Sequence, residues 1–500
     1  IFNGEIYNHF DLRDSLERCS SSPISWNGHS DTETLLACFE HWGVDKTLEN
    51  LVGMFAIALY DSEEKVLYLV RDRMGEKPLY YGWNNGVFLF GSELKAIKSF
   101  PGFSGVVDRS ALSLYLKYDY VPAPFSIYQG IKKLPQASYI KIKMNSGRWD
   151  SKQILDPIKY WSLKDVAISG QSNASKKSNE HRLIDKLDDV LSKSIEQQMI
   201  SDVPLGAFLS GGLDSSSVVA FARELNPDIK CFTIKTEGGQ DKGFIDDLPY
   251  AKKVAKHLNV SLEVVTVDSK KIAEDLQSMV IQLDEPLADP SSLNVRYISQ
   301  LAKDQGIKVL LSGAGGDDIF TGYRRHYALE VERYWSWLPK NIRGLMENTS
   351  KHLNNNNPIQ RRLSKLFNGA GLDNDERLIN YFRWTSDVTL QSLYSPAMQE
   401  LMKHSDTNFP MSDFIPELSS NISRLDQMLA IEQRFFLADH NLNYTDKMSM
   451  SAGIEVRVPF LDNDLIEFAP YFQYDYNTFD YSIDLGQETN YANSRFGLNL

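Results

Sequence analysis

The stretch PLGAFLSGGLDSSSVV (204–219) constrains this chain more than any other. An apolar run ends in Ser210-Gly211-Gly212, and Leu213, Asp214, Ser215 and Ser216 then open a helical pattern. Two glycines between strand and helix let the backbone turn sharply and come close to a ligand. The serine hydroxyls and the free N–H groups of the first helical turn supply donors. A turn of this kind belongs in a parallel sheet, and the surrounding sequence reads as one. Strand signals IKCFTIKT (229–236), SLEVVTV (261–267) and KVLLSG (308–313) alternate with helical patterns at LDSSSVVAFARELN (213–226), YAKKVAKHL (250–258) and around 295–305. The alternation predicts a doubly wound α/β sheet with right-handed crossovers, which binds ligands at the carboxyl ends of its strands.

The loop reads as an anion nest. Its spacing is not that of a Walker loop, and no lysine follows the glycines. Asp214 amid these donors would repel a bare phosphate, so a bridging Mg²⁺ is the natural explanation. A second strand end, VLLSGAGGDDIFTGY (309–323), repeats the arrangement with Ser312, Gly313, Gly315, Gly316 and the carboxylates Asp317 and Asp318. Carboxylates after glycines also cap helices, so this segment alone reads either way. Paired with the first loop, it places Asp317 opposite Asp214 across one metal-bound phosphate chain. The basic run Arg324-Arg325-His326 beyond it either helps to bind phosphate or faces solvent.

The residues before the sheet have a different character. VLYLVRD (66–72), PLYYGW (78–83) and VFLFGS (87–92) are short strand signals, with Asn84-Asn85-Gly86 as a hairpin turn. TETLLACFEHWG (32–43) predicts a helix with Asp31 near its cap. The result is an α+β layer domain over 1–162, a polar Ser/Asn-rich linker over 163–182, the α/β domain over 183–470 with helical additions past about 325, and an atypical tail at 471–500. LIDKLDDVLSKSIEQQM (183–199) reads as an amphipathic helix leading into the sheet, and NNNNP (354–358) as a loop. Ile1 stands where Met would, and IFNGEIYNH begins in mid-pattern, so a chain cut at its N-terminus is expected. Between Asn463 and Leu500 the only base is Arg495, against six acids, which suggests an unstructured or foreign tail.

Composition excludes whole classes. Acids outnumber bases by 66 to 53, for a net charge of −13, which argues against a nucleic-acid binder. Cys19, Cys38 and Cys231 are too few and too scattered for a disulfide framework or a zinc cluster, so a reducing, cytoplasmic setting is expected. The longest apolar run, LVGMFAIALY (51–60), is about half of what a spanning helix needs.

These motifs resemble a family. SGGLDSS is similar to the pyrophosphate loop of the ATP-pyrophosphatase enzymes, and from residue 3 to about 470 the chain resembles the glutamine-hydrolysing asparagine synthetases. NGEIYNH (3–9), SDTE (30–33), GMFAIALYD (53–61), RDRMGEKPLYY (71–81) and GSELKA (91–96) match the Ntn-type glutaminase sandwich of that family, here incomplete at its start. SGGLDSS, DEPLADPS (284–291), SGAGGDDIFTGY (312–323) and DKMSMSAGIEVRVPFLD (446–462) match its synthetase domain.

The resemblance implies ATP-dependent synthesis of asparagine from aspartate, with glutamine or ammonia as nitrogen donor, through β-aspartyl-AMP and with release of AMP and pyrophosphate. It implies ATP binding by Ser210, Gly211, Gly212, Asp214, Ser215, Ser216, Ile234, Ser312 and Gly313. Mg²⁺ would fall to Asp214 and Asp317. Asn3 and Gly4 correspond to the glutaminase oxyanion hole, and Asn3, Gly4, Glu5 and Asp31 to the glutamine-binding positions. The partners implied are these small molecules, with no nucleic acid and no membrane; a homodimer is left open.

Three departures stand out. The family's nucleophile is an N-terminal cysteine, which neither Cys19 nor Cys38 matches. Ala314 stands where these synthetases commonly carry an acid, and the lysine-bearing segment that follows VPFLD in the family has no match in 463–500. A relative that amidates another carboxylate, on a sugar, peptide or lipid precursor, or a catalytically impaired relative, is the alternative expectation.

Overall fold

A computed structural model of the chain describes residues 1–20, 23–145, 148–149, 155–174, 180–237, 247–354, 357–403, 408–418 and 422–471. The tail from 472 onward lies outside the described residues, as do 175–179 of the expected linker and 355–356 of the asparagine run.

The first part is built of antiparallel sheets. Strands β1 (Phe2–Ile6), β2 (Gly53–Asp61), β3 (Val66–Arg71), β7 (Ser138–Asn145) and β8 (Arg148–Trp149) pair in that order, with β9 (Ile158–Lys159) also on β7. A smaller sheet runs β5 (Val87–Gly91), β4 (Tyr80–Asn84) and β6 (Ile131–Lys133). Alternation along each strand decides which layer a side chain enters. Phe55 and Ile57 face helices His9–Cys19 and Asp31–Asn50, whereas Ala56 faces the small sheet, where Leu69, Tyr81 and Ile140 join it. Tyr80 turns the other way, onto Leu94 and Ile97 of helix Leu94–Lys98. Helix, sheet, sheet and helix therefore stack in four layers.

The hairpin at Asn84-Asn85-Gly86 is present, with Asn85 and Gly86 both at positive φ (49° and 79°), as a two-residue primed turn needs. The helix expected over 32–43 opens a helical span from Asp31 to Asn50. Its cap is Ser30, whose hydroxyl accepts the Glu33 N–H, and Gly43, non-helical at φ 74° and ψ −178°, breaks it there as the sequence predicts, with a second helical segment following the kink to Asn50.

The second part is a parallel five-stranded sheet ordered β12 (Ser261–Asp268), β11 (Lys230–Glu237), β10 (Leu205–Phe208), β13 (Val309–Leu311) and β14 (Glu455–Arg457). The chain steps outward from β10 on one side and returns to its other side at β13. The direction of winding thus reverses between β10 and β13, and a crevice opens at their carboxyl ends. Both faces are covered: Cys231 and Leu311 lie in one apolar layer, Phe232 and Leu310 in the other. The second layer crosses into the first part of the chain, since Met74, Leu114, Tyr118 and Tyr120 pack in the same cluster as Phe232, Leu310 and Met448.

The polar stretch after residue 162 is not an open spacer over its first half. Leu163–Ala174 is a helix whose Leu163 and Val166 are buried, packed on Ala469–Tyr471 and Arg424–Ile431. Spacing of three and four among Leu163, Val166 and Ala167 forms the apolar stripe, which the serines and asparagines around it obscure.

Candidate active site

The first loop follows β10 directly. At Gly211 φ is 85°, and a Cβ there would lie 2.4 Å from the Ala251 N of helix Leu248–Leu258, so only glycine fits beneath that helix. The serines order the turn. Ser210 Oγ accepts the Gly212 N–H (3.2 Å) and meets Ser215 Oγ at 2.9 Å, while Ser216 Oγ donates to Gly212 O at 2.7 Å. Gly212 caps helix Leu213–Leu225, whose first turn holds Asp214, and Ser210 and Gly212 stay exposed at the crevice.

The second loop leaves β13 and folds onto the first. The Ser312 N–H donates to Arg457 O (2.8 Å), and Ser312 Oγ accepts the Ala314 N–H at 3.2 Å. A Cβ on Gly313 would come within 2.5 Å of Ser215 N, and one on Gly316 within 2.4 Å of the Asp214 carboxyl carbon. Both positions need glycine because the loops touch there. The backbone N–H of Asp317 donates to the Asp214 carboxylate. Burial, reinforced by the charge of Asp317, pushes the Asp214 carboxyl up to about 7. Asp317 is raised as well, by burial against the opposing pull of His326.

Ser210, Gly211, Gly212, Asp214, Ser215 and Ser216 are thus brought together with Ser312, Gly313 and Asp317. Ile234 lies two residues along β11 beyond Phe232, where pairing with β10 stops at Phe208, so it borders the same crevice. Among the described residues no group of three or more metal-ligating side chains occurs. The donor set is a pair of carboxylates whose repulsion a divalent cation would relieve, leaving coordination positions for phosphate oxygens.

The basic run is held differently from either expectation where Arg325 and His326 are concerned. Both turn inward onto Glu432: Arg325 Nε bonds one oxygen and His326 Nε2 the other (2.7 Å). Glu432 is fully buried, so its charge is matched inside the protein, which takes up both side chains instead of leaving them for a ligand. Parts of two matched motifs join the two parts of the chain. Asp284 and Glu285 of DEPLADPS bolt the two parts of the chain together. Lys447 Nζ bonds Leu283 O (2.7 Å) and Asp284, and reaches Tyr80 Oη at 3.2 Å. Glu285 accepts the Ile127 N–H (3.1 Å) and pairs with Lys133 at 2.7 Å. Sequence reasoning missed Glu432 and gave Lys447 no role; for Glu432 the signal available was a charged residue directly after the apolar run MLAI.

The other candidate positions gather on β1. Asn3 Nδ2 donates to Ser92 Oγ (2.9 Å). A Cβ on Gly4, where φ is 151°, would meet Met54 O at 2.0 Å, so β1 lies hard against β2. Asp31 accepts the N–H groups of Ile6 (3.0 Å) and Thr32 (2.6 Å), which brings it beside Glu5. Burial pushes the Glu5 carboxyl up to about 7 against the pull of Arg457, whose Nη2 lies 3.6 Å away, and the Asp31 charge adds to the rise. Among the described residues no thiol stands here. Cys38 and Cys231 are buried, and burial pushes each to about 12, far from thiolate at neutral pH.

A four-layer α+β part joined to a parallel sheet with glycine loops at its switch point defines a two-part amidotransferase architecture. Comparison with known proteins makes the family specific. A glutamine amidotransferase domain model matches residues 1–153 and an asparagine synthase model matches residues 186–485. The chain belongs to the asparagine synthase family. It is 31% identical over 473 residues to a Mycobacterium bovis protein provisionally named a glutamine-hydrolysing asparagine synthetase, covering 94% of this chain and 68% of that one. It is 29% identical to glutamine-hydrolysing asparagine synthetase 1 of Bacillus subtilis, with 94% and 69% covered. It is also 25% identical to a Penicillium rubens protein named amidase chyE, again with 94% and 69% covered.

Proposed function

We propose that this chain makes asparagine from aspartate at the expense of ATP, taking nitrogen from glutamine or from free ammonia. The observation that carries the reading is the contact between the two strand-end loops at the switch point, in a chain of this family. Ser210 and Ser215, with the N–H groups of the first helical turn, would provide donors for a pyrophosphate at a helix N-terminus, while Ser216 braces that turn through Gly212 O. A Mg²⁺ ion held by Asp214 and Asp317 would neutralise that phosphate charge. A carboxylate oxygen of aspartate attacks the α-phosphorus of ATP and the bond to the bridging oxygen breaks, so pyrophosphate leaves. Ammonia then attacks the acyl carbon, AMP departs with that oxygen, and a proton is lost. Adenylation is what converts a poor electrophile into a good one.

On the amidotransferase side, Asn3 and Gly4 would stabilise the oxyanion formed at the glutamine amide, and Glu5 and Asp31 would hold its charged α-groups. Isolated cysteines support a cytoplasmic setting, and among the described residues no helix is long and apolar enough to cross a membrane.

The test supplies ammonia, ATP and Mg²⁺ and follows AMP and pyrophosphate. They should form only when aspartate is present, and Asp214→Ala should abolish the release of pyrophosphate while the protein stays folded. AMP formation at the parent rate in that variant would remove the metal role. A second reading, amidation of another carboxylate, is motivated by Ala314, a methyl group where an acid would face the acceptor. Turnover with a different carboxylate and none with aspartate would favour it.

A further inference from the structure

Residues Glu432–Asn441 form a π-helix, a rare geometry that tends to mark functional positions. Its first residue, Glu432, is a carboxylate with no solvent exposure at all. One of its oxygens holds Arg325, whose guanidinium is sandwiched between Tyr323 (4.3 Å) and Phe436 (4.5 Å). The other takes the Nε2 proton of His326, because Nδ1 of that ring accepts the Gly322 N–H at 3.0 Å and cannot carry one. Gly322 in turn lies directly against Asp317: a Cβ there would sit 1.6 Å from Asp317 Oδ1. The next residue of the π-helix, Gln433, donates from Nε2 to Asp318 O (3.2 Å), gripping the same loop from its other side.

We propose that Glu432 is a positioning residue, which through His326 and Gly322 sets where the Asp317 carboxylate stands. This rests on the reading of Asp317 as a metal ligand. The cost of burying Glu432 is offset only while the Arg325 cation and the His326 N–H donor are both in place, so the arrangement has one low-energy setting. Outer partners of this kind typically influence metal affinity without touching the metal.

The test uses the full chain with Glu432→Gln, which keeps shape and removes charge, and with His326→Gln as a second variant. Without any ligand, backbone amide exchange over Gly316–Arg325 should quicken about tenfold, while β10, β11 and β13 keep their protection. With Mg²⁺ and ATP, the half-saturating Mg²⁺ concentration should rise about tenfold, and the KM for ATP should move more than kcat. Parent-like exchange together with parent-like Mg²⁺ dependence overturns the inference. So does faster exchange spread evenly over the chain, which would make Glu432 merely structural. If Glu432→Gln does not fold, His326→Gln decides by the same two readouts. A parent protein with no Mg²⁺-dependent ATP binding would sink the proposed function instead, and the exchange measurement would still judge Glu432.

Discussion

The carbonyl oxygen of Arg457 accepts the N–H of Ser312 at 2.8 Å, while the same residue's guanidinium lies 3.6 Å from Glu5. One residue of β14 therefore touches the loop after β13 with its main chain and strand β1 of the amidotransferase part with its side chain. Its guanidinium also donates to Gln198 O (2.8 Å) and Ile200 O (2.6 Å) and pairs with Glu455 at 2.7 Å.

Lysine cannot reproduce that fork, although it keeps the charge. Arg457→Lys should cost about 1–3 kcal/mol through unpaired buried carbonyls. Urea unfolding checks this; an unchanged midpoint would show that the fork is dispensable.

Gly316→Ala places a methyl group where the Asp214 carboxylate now sits. The two loops must part, and Mg²⁺-dependent ATP binding should weaken by roughly tenfold to a hundredfold. Gly306→Ala is the comparison: φ there is 80° but nothing lies within 4 Å, so it should affect stability modestly and binding not at all. Calorimetric titration of both proteins with ATP and Mg²⁺ separates the cases.

Asp462 gives a pH-dependent outcome. Its side chain caps helix Asn463–Phe468 by accepting the Asp464 N–H (2.9 Å), and burial raises its carboxyl from 3.8 to about 6. Between those values the folded protein holds a proton that the unfolded chain has lost, so this group's contribution to stability falls as pH rises through the window. Asparagine caps equally well and carries no charge. Asp462→Asn should match the parent near about pH 4 and exceed it by up to ~3 kcal/mol near about pH 7. Denaturant midpoints at the two pH values would expose a gain of the wrong sign.

Lys447 is fully buried against Asp284 and Tyr80. Lys447→Met should destabilise by about 3–5 kcal/mol, because Asp284 is left charged and unpaired. The double variant with Asp284→Asn should recover part of that loss. Independent, additive effects in the double-variant cycle would contradict a direct pair.

Much of the geometry of the two strand-end loops could be read before any coordinates, for a physical reason. Glycines at Gly211, Gly313 and Gly316 are demanded by backbone approach, and the apolar strands feeding them carry strong local patterns. The hairpin at Asn85-Gly86 was legible on the same grounds. What escaped is non-local. β14 is only Glu455–Arg457, too short and too charged to signal a strand, and it exists because Leu310 pairs with Val456, 146 positions further along the chain. Helix Ser269–Leu283 carries Val280 and Ile281 on its exposed side, which blurs its amphipathic pattern. Arg325 and His326 read as phosphate ligands or solvent-facing residues because nothing in the sequence announces that Glu432, more than a hundred residues on, faces them.

The apolar layer shared by Tyr118, Tyr120, Phe232 and Met448 carries a practical consequence for anyone wishing to split the enzyme. Severing the gene near residue 162 would strip each half of its neighbour and lay bare greasy surface that water penalises at about 25 cal/mol per Å². Separately expressed halves would clump or seek each other out, so new pairings by gene fusion would have to carry the matching wall with them.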